Sequence, residues 1–93
     1  MRMLKYMISD GTSMQTDVLM REGARIRKVE MQGDKVCAWA ETPGGADPLT
    51  ERTFCVIGTG MDVPDPGVYL ATVFEGPYVW HVYEVTLIRG WRP

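Results

Sequence analysis

Arg52-Thr53-Phe54-Cys55-Val56-Ile57-Gly58-Thr59-Gly60-Met61-Asp62-Val63-Pro64 decides the fold. An apolar, β-branched run that stops at glycine reads as a buried strand running straight into a glycine-hinged loop. Further on, Val79-Trp80-His81-Val82-Tyr83-Glu84-Val85 has the same character and carries the only histidine. Together the two stretches describe a small sheet protein, and by themselves they complete no catalytic constellation.

Outward from these strands, the punctuation is that of an all-β chain. Gly11, Gly23, Gly33-Asp34, Pro43-Gly44-Gly45, Pro64-Asp65-Pro66-Gly67, Gly76-Pro77 and Gly90 cut it into short pieces, and no window between them sustains a helical period. The pattern predicts seven strands, at about 3–8, 14–20, 24–32, 35–42, 52–58, 68–75 and 78–88. The expected fold is all-β: a small, mostly antiparallel sandwich or barrel of six to eight strands, a single domain over 1–93. A flexible loop is expected at about 43–51, and residues 89–93 read as a tail.

Gly33-Asp34 should tip a type II′ hairpin between the third and fourth strands. In the third, Ala24 and Ile26 alternate on one face, while Val29 and Met31 continue the apolar set one position late. A β-bulge near Arg27-Lys28 reconciles the two halves. The fourth strand has Val36, Ala38 and Ala40 on one face and Cys37 and Trp39 on the other, the mark of a central or doubly covered strand. Trp39 and Trp80 are expected as core anchors.

Ninety-three residues hold one core and not two. A charged fraction of 24% against 45% apolar residues suits a folded soluble domain. Ten basic and twelve acidic side chains give a net charge of −2, which offers no field for duplex nucleic acid or an anionic membrane. No apolar run reaches the roughly 20 residues of a membrane span, and the charged N-terminal stretch argues against a signal peptide. Cytoplasmic residence follows as the expectation, with Cys37 and Cys55 as buried thiols rather than a disulfide.

The ordered set Lys5-Tyr6, Glu22-Gly23-Ala24-x-Ile26, Val36-Cys37-Ala38-Trp39-Ala40, Arg52-Thr53-Phe54, Gly58-Thr59-Gly60 and Val79-Trp80-His81-Val82-Tyr83-Glu84 resembles a family of small proteins of bacteriophages and bacterial genomes, one known as a domain of unknown function. The resemblance covers about residues 4–84. In that family Gly-Thr-Gly is typically followed by histidine, where this chain has Met61, and the loop after the sixth strand is shorter here. The resemblance implies a phage or prophage product acting in the host cytoplasm. Small phage proteins often bind and block host factors, and some soak up signalling nucleotides.

Three sets of residues carry candidate chemistry. Gly58-Thr59-Gly60 is able to present backbone N–H groups to an anion, yet no lysine or helix start follows it and Asp62 would repel the anion; a sharp exit from the strand explains the glycines as well. His81 has no partner nominated by spacing, and a half-buried histidine bonded to a backbone carbonyl is the plainer expectation. Arg25, Arg27 and Lys28, with Lys35 across the hairpin, form the basic cluster suited to a phosphate or an acidic partner surface, unless Glu30 and Asp34 balance it. Asp62, Asp65, Glu75 and Glu84 lack metal-ligand spacing, and no cofactor motif is present.

The sequence therefore supports a non-enzymatic binding protein that docks on and blocks a host factor, in counter-defence. The alternative is a sequestering protein for a small anionic ligand such as a signalling nucleotide. Strand edges also offer a route to a homo-oligomer. A small enzyme is the third and weakest reading.

Overall fold

The computed structural model describes residues 1–9, 11, 14–45 and 48–85. Its strands are β1 (Arg2–Ser9), β2 (Gln15–Arg21), β3 (Arg25–Gln32), β4 (Lys35–Thr42), β5 (Leu49–Gly58), β6 (Gly67–Glu75) and β7 (Tyr78–Val85). All neighbours pair antiparallel, in a three-stranded sheet of order β1-β4-β3 and a four-stranded sheet of order β2-β5-β7-β6. The two sheets stack as an open sandwich rather than closing into a barrel, with no helix among the described residues. Residues 86–88 of the expected last strand and the 89–93 tail lie outside the described residues.

Local sequence accounts for the turns. Gln32 pairs with Lys35 across Gly33-Asp34. Gly33 has φ +64° and Asp34 does not have positive φ, which is the type II′ pattern. Along β3 the register slips between Ile26 and Lys28, so Arg27 is the extra residue of the expected bulge. The slip lets Ile26, Val29 and Met31 all face inward. The loop expected at 43–51 is shorter than the sequence suggests. Leu49, Thr50 and Glu51 are the first residues of β5 and pair with Arg21, Met20 and Leu19, while Glu22 N–H donates to Pro48 C=O at 2.8 Å. The last turn of β2 would otherwise leave its backbone unpaired, and this outweighs the glycine and proline signals just upstream.

The core is a single cluster between the sheets, in which Phe54, Ile8, Met20 and Val82 are the largest fully buried side chains. β4, central in its sheet, contributes the small inward residues Ala38 and Ala40 with Val36. Its bulky Trp39 faces outward and is only half-buried, opposite Lys5 on one side and Lys28 on the other. Trp39 is therefore not the core anchor that its apolar neighbours suggest: in a strand with apolar residues on both faces, the alanine face was the one the sandwich buried. Trp80 does pack against the core cluster, from its margin.

One polar tie joins the sheets. Arg52 lies on the core-facing side of β5, two residues before Phe54. Its Nε and Nη2 donate to the two carboxylate oxygens of Glu84 on β7 at 2.6 and 2.7 Å. Its Nη1 donates to the carbonyl of Ala24, at the entry to β3 in the opposite sheet, at 2.7 Å. The hydrogen bonds to Glu84 hold the guanidinium pKa above its usual value, against the opposing effect of burial. The fork geometry needs arginine, since an ammonium makes no such paired contact.

Two stability measurements check this account. Phe54→Ala should lose about 3–5 kcal/mol in urea unfolding, with Trp39→Ala well below it at no more than about 2 kcal/mol. Arg52→Ala should cost about 2–4 kcal/mol. That is somewhat below a fully buried pair, because about one-fifth of each side chain stays in water.

Candidate functional site

The outward face of β7 and β6 gathers the hydroxyl and imidazole groups of the four-stranded sheet. Register places Tyr69 opposite Tyr83, Thr72 opposite His81 and Phe74 opposite Val79. Tyr69 and Thr72 are three residues apart and in a regular strand would point to opposite faces. A register shift between Tyr69 and Ala71 inserts Leu70 as an extra residue and brings both to one face. Tyr69 OH and Thr72 Oγ1 are then 2.7 Å apart. Thr72 Oγ1 lies 3.0 Å from His81 Nδ1, and Thr59 Oγ1 lies 2.8 Å from His81 Nε2. The Tyr69 and Tyr83 rings meet edge to face with centroids 5.6 Å apart.

Thr59 reaches the ring because of the turn that follows β5. Met61 N–H donates to Gly58 C=O at 3.2 Å, and Gly60 has φ +95°, the type II arrangement that requires glycine at the third turn position. Met61 folds back so that its Sδ accepts the Gly58 N–H at 3.3 Å. The expected pairing of His81 with a backbone carbonyl is replaced by a hydroxyl on each ring nitrogen. A neutral imidazole donates from one nitrogen and accepts at the other, and a hydroxyl serves either role. Thr72 occupies the place where a hydrolytic triad would put a carboxylate, so the ring has no anionic orienter and the row Thr59–His81–Thr72–Tyr69 is a fixed polar strip.

The predicted site residues fall into two groups that the fold keeps apart. Gly58, Thr59, Gly60 and His81 come together on the outer face of the four-stranded sheet. Arg25, Arg27 and Lys28 lie on the outer face of the three-stranded sheet, on the other side of the sandwich. There Arg27 pairs with Glu41, Lys28 with Glu30 at 3.6 Å and Lys35 with Asp34 at 3.4 Å. Arg25 stands opposite Glu41 in the ladder. Four cations thus meet three carboxylates, Glu41 being added to the acidic residues the sequence nominated, and the face is largely paired with one positive charge in excess. No group of three His, Cys, Asp or Glu residues is placed to hold a metal among the described residues.

Sequence reasoning missed Tyr69 and Thr72, which only a bulge brings together, and the Arg52–Glu84 pair. The pair did leave a signal: each charge recurs at period two with core residues, Arg52 with Phe54 and Glu84 with Val82. Two opposite charges on inward positions need each other.

The strand edges differ in chemistry. Of the four edge strands, β1 carries Arg2 and Lys5, β2 carries Asp17 and Arg21, and β3 carries Arg25, Arg27, Lys28 and Glu30. Edge β6 carries a single charge, Glu75 at its end, and that carboxylate accepts the Trp80 indole N–H at 3.1 Å. On β6, Tyr69 is 55% and Phe74 68% exposed. An edge with a single terminal charge and exposed aromatic residues is the kind that proteins usually shield.

Fold and site together define a small two-sheet β-sandwich with a hydroxyl-bound histidine on the outer face of its four-stranded sheet. Residues 1–89 match the model of DUF7352, a domain of unknown function, and the chain belongs to that family. No curated protein and no solved structure matches it.

Cys55 sits on this same outer face, opposite Tyr83 and Gln15, and is buried. Burial pushes its thiol pKa up from the ordinary 9.0, so it stays neutral and is a poor nucleophile. The unfolded chain therefore releases this proton first, and stability should fall as pH climbs from 9.0 through the raised folded value. Urea midpoints at neutral and alkaline pH should show a steeper decline for the wild type than for Cys55→Ala.

Proposed function

We propose that this protein is a non-enzymatic binding protein whose contact surface is the β6 edge with the adjoining Tyr69–Thr72–His81–Tyr83 face. It acts by stoichiometric docking on a protein partner. The setting, a phage-encoded protein that blocks a host factor in the cytoplasm of the infected cell as counter-defence, rests on the family resemblance and is part of the proposal. The observation that carries the binding reading is the contrast among edges: three are guarded by charge, and the fourth presents aromatic residues. Tyr and Phe beside fixed hydroxyl groups are the composition of interface centres, where apolar area and oriented polar atoms are buried together. A free edge adds backbone hydrogen bonding to an incoming strand.

A sequestered nucleotide draws less support. Its natural site is the basic cluster of Arg25, Arg27 and Lys28, and the ion pairs described above occupy that face.

Tyr69→Lys and Phe74→Lys test the reading at positions exposed enough to leave folding intact. Each should reduce capture of a stoichiometric partner from bacterial lysate at least tenfold with little change in melting temperature, whereas Arg25→Ala combined with Arg27→Ala should leave capture intact. Equal capture by the lysine variants would overturn the surface assignment. Light scattering on purified protein reports whether the edge is used by a second copy instead. Steady multiple turnover of any substrate would overturn the non-enzymatic reading.

A further inference from the structure

A second feature lies at one end of the sandwich, between the sheets. A pocket of about 150 Å³ opens there, where the β3–β4 hairpin approaches the end of β6 and the start of β7. Val36 and Val56, one from each sheet, contribute its apolar wall with Met14, Met31 and the Trp80 indole. Of the polar lining, Ser9 is neutral, Asp34 is met by Lys35 as described above, and Glu75 supplies the negative charge; none of the described lining residues is Lys, Arg or His.

Each part of this arrangement narrows the ligand. The volume is below the roughly 300–1,000 Å³ typical of cofactor and drug-sized sites, and suits a group of about benzene size. A nucleotide does not fit it, and the Glu75 carboxylate would repel a phosphate. The apolar wall calls for a hydrocarbon stem, and methionine side chains adapt their shape to one. The charge at the rim calls for a cation. Glu75 is held in place by the Trp80 N–H, and Tyr78 stacks on Trp80 with ring centroids 5.9 Å apart and planes 20° from parallel. An oriented indole next to a carboxylate is the combination that recognises ammonium groups, through cation–π attraction and ion pairing at once. We infer that this pocket binds a small primary amine with a short apolar stem, the ammonium group meeting Glu75 and Trp80 and the stem entering between Val36 and Val56. This inference is independent of the docking surface, because Tyr69 and Phe74 do not line the pocket.

The test uses the whole chain, ¹⁵N-labelled, at neutral pH, with the Trp80 indole N–H resonance assigned through Trp80→Phe. The protein is titrated separately with n-pentylammonium, n-pentanol, pentanoate and a blocked lysine amide. Saturable movement of the Trp80 resonance by n-pentylammonium is expected, with pentanol at least tenfold weaker and pentanoate without effect. Glu75→Gln keeps an acceptor for the indole but removes the charge, and should weaken amine binding about tenfold. Met14→Trp, at a half-exposed position, should fill the space and abolish the shift. Absence of a saturable shift with n-pentylammonium would overturn the proposal, as would equal binding of pentanol or pentanoate, or unchanged affinity in Glu75→Gln. Tighter binding of the blocked lysine amide than of the free amine would overturn the small-molecule assignment in favour of a partner's lysine side chain.

Discussion

The sandwich depends on one constraint: a single thin core must hold two sheets together in a chain too short for a second one. Phe54 meets that constraint. It is the largest fully buried side chain, on a strand that pairs on both sides, and the alanines of β4 are the small residues in the same cluster. Large and small residues in one layer let two twisted sheets approach closely without voids. The placement of other large residues follows. Trp39 is excluded to the outer face because the inner positions of its strand are taken by small side chains. At the margin of the core, where packing thins, Arg52 supplies directional bonds to Glu84 and to the facing sheet.

Most of the fold was legible in the sequence because its signals are local. The alternation in β3 and β4, the Gly33-Asp34 turn and the slipped phase at Arg27 each involve neighbours along the chain. What stayed hidden depends on pairings distant in sequence. The strand start at Leu49 is dictated by the unpaired end of β2, and the choice of buried face in β4 by the sheet opposite. The site divides the same way. Gly60 announces a turn, but Thr59 meets His81 only because β5 and β7 are neighbours, and Tyr69 meets Thr72 only through a bulge that no apolar phase slip advertises. Arg25 and Arg27 were visible as charges, whereas the single carboxylate they share, Glu41, required the β3–β4 register.

The two outer faces of the sandwich have diverged in chemistry. One is a lattice of alternating charges around a half-buried tryptophan, and such pairs keep a sheet hydrated and solitary. The other carries hydroxyls, an imidazole and aromatic rings, with Cys55 kept neutral among them. Hydroxyls on both ring nitrogens hold the His81 imidazole in one orientation on that face.

The strand order also sets the sequence of events during synthesis. Among the described strands only β3–β4 and β6–β7 are hairpins; β1 must wait for β4, and β2 for β5. As the chain leaves the ribosome, its first two strands emerge without any partner, and β1 can dock only onto a hairpin made later. The four-stranded sheet is joined only when β7 arrives beside β5. Folding of this domain thus waits for its last strand, and it belongs to the slower class of small proteins in which long-range pairing precedes stability. Until then the apolar strands near the N-terminus stand open to chaperones.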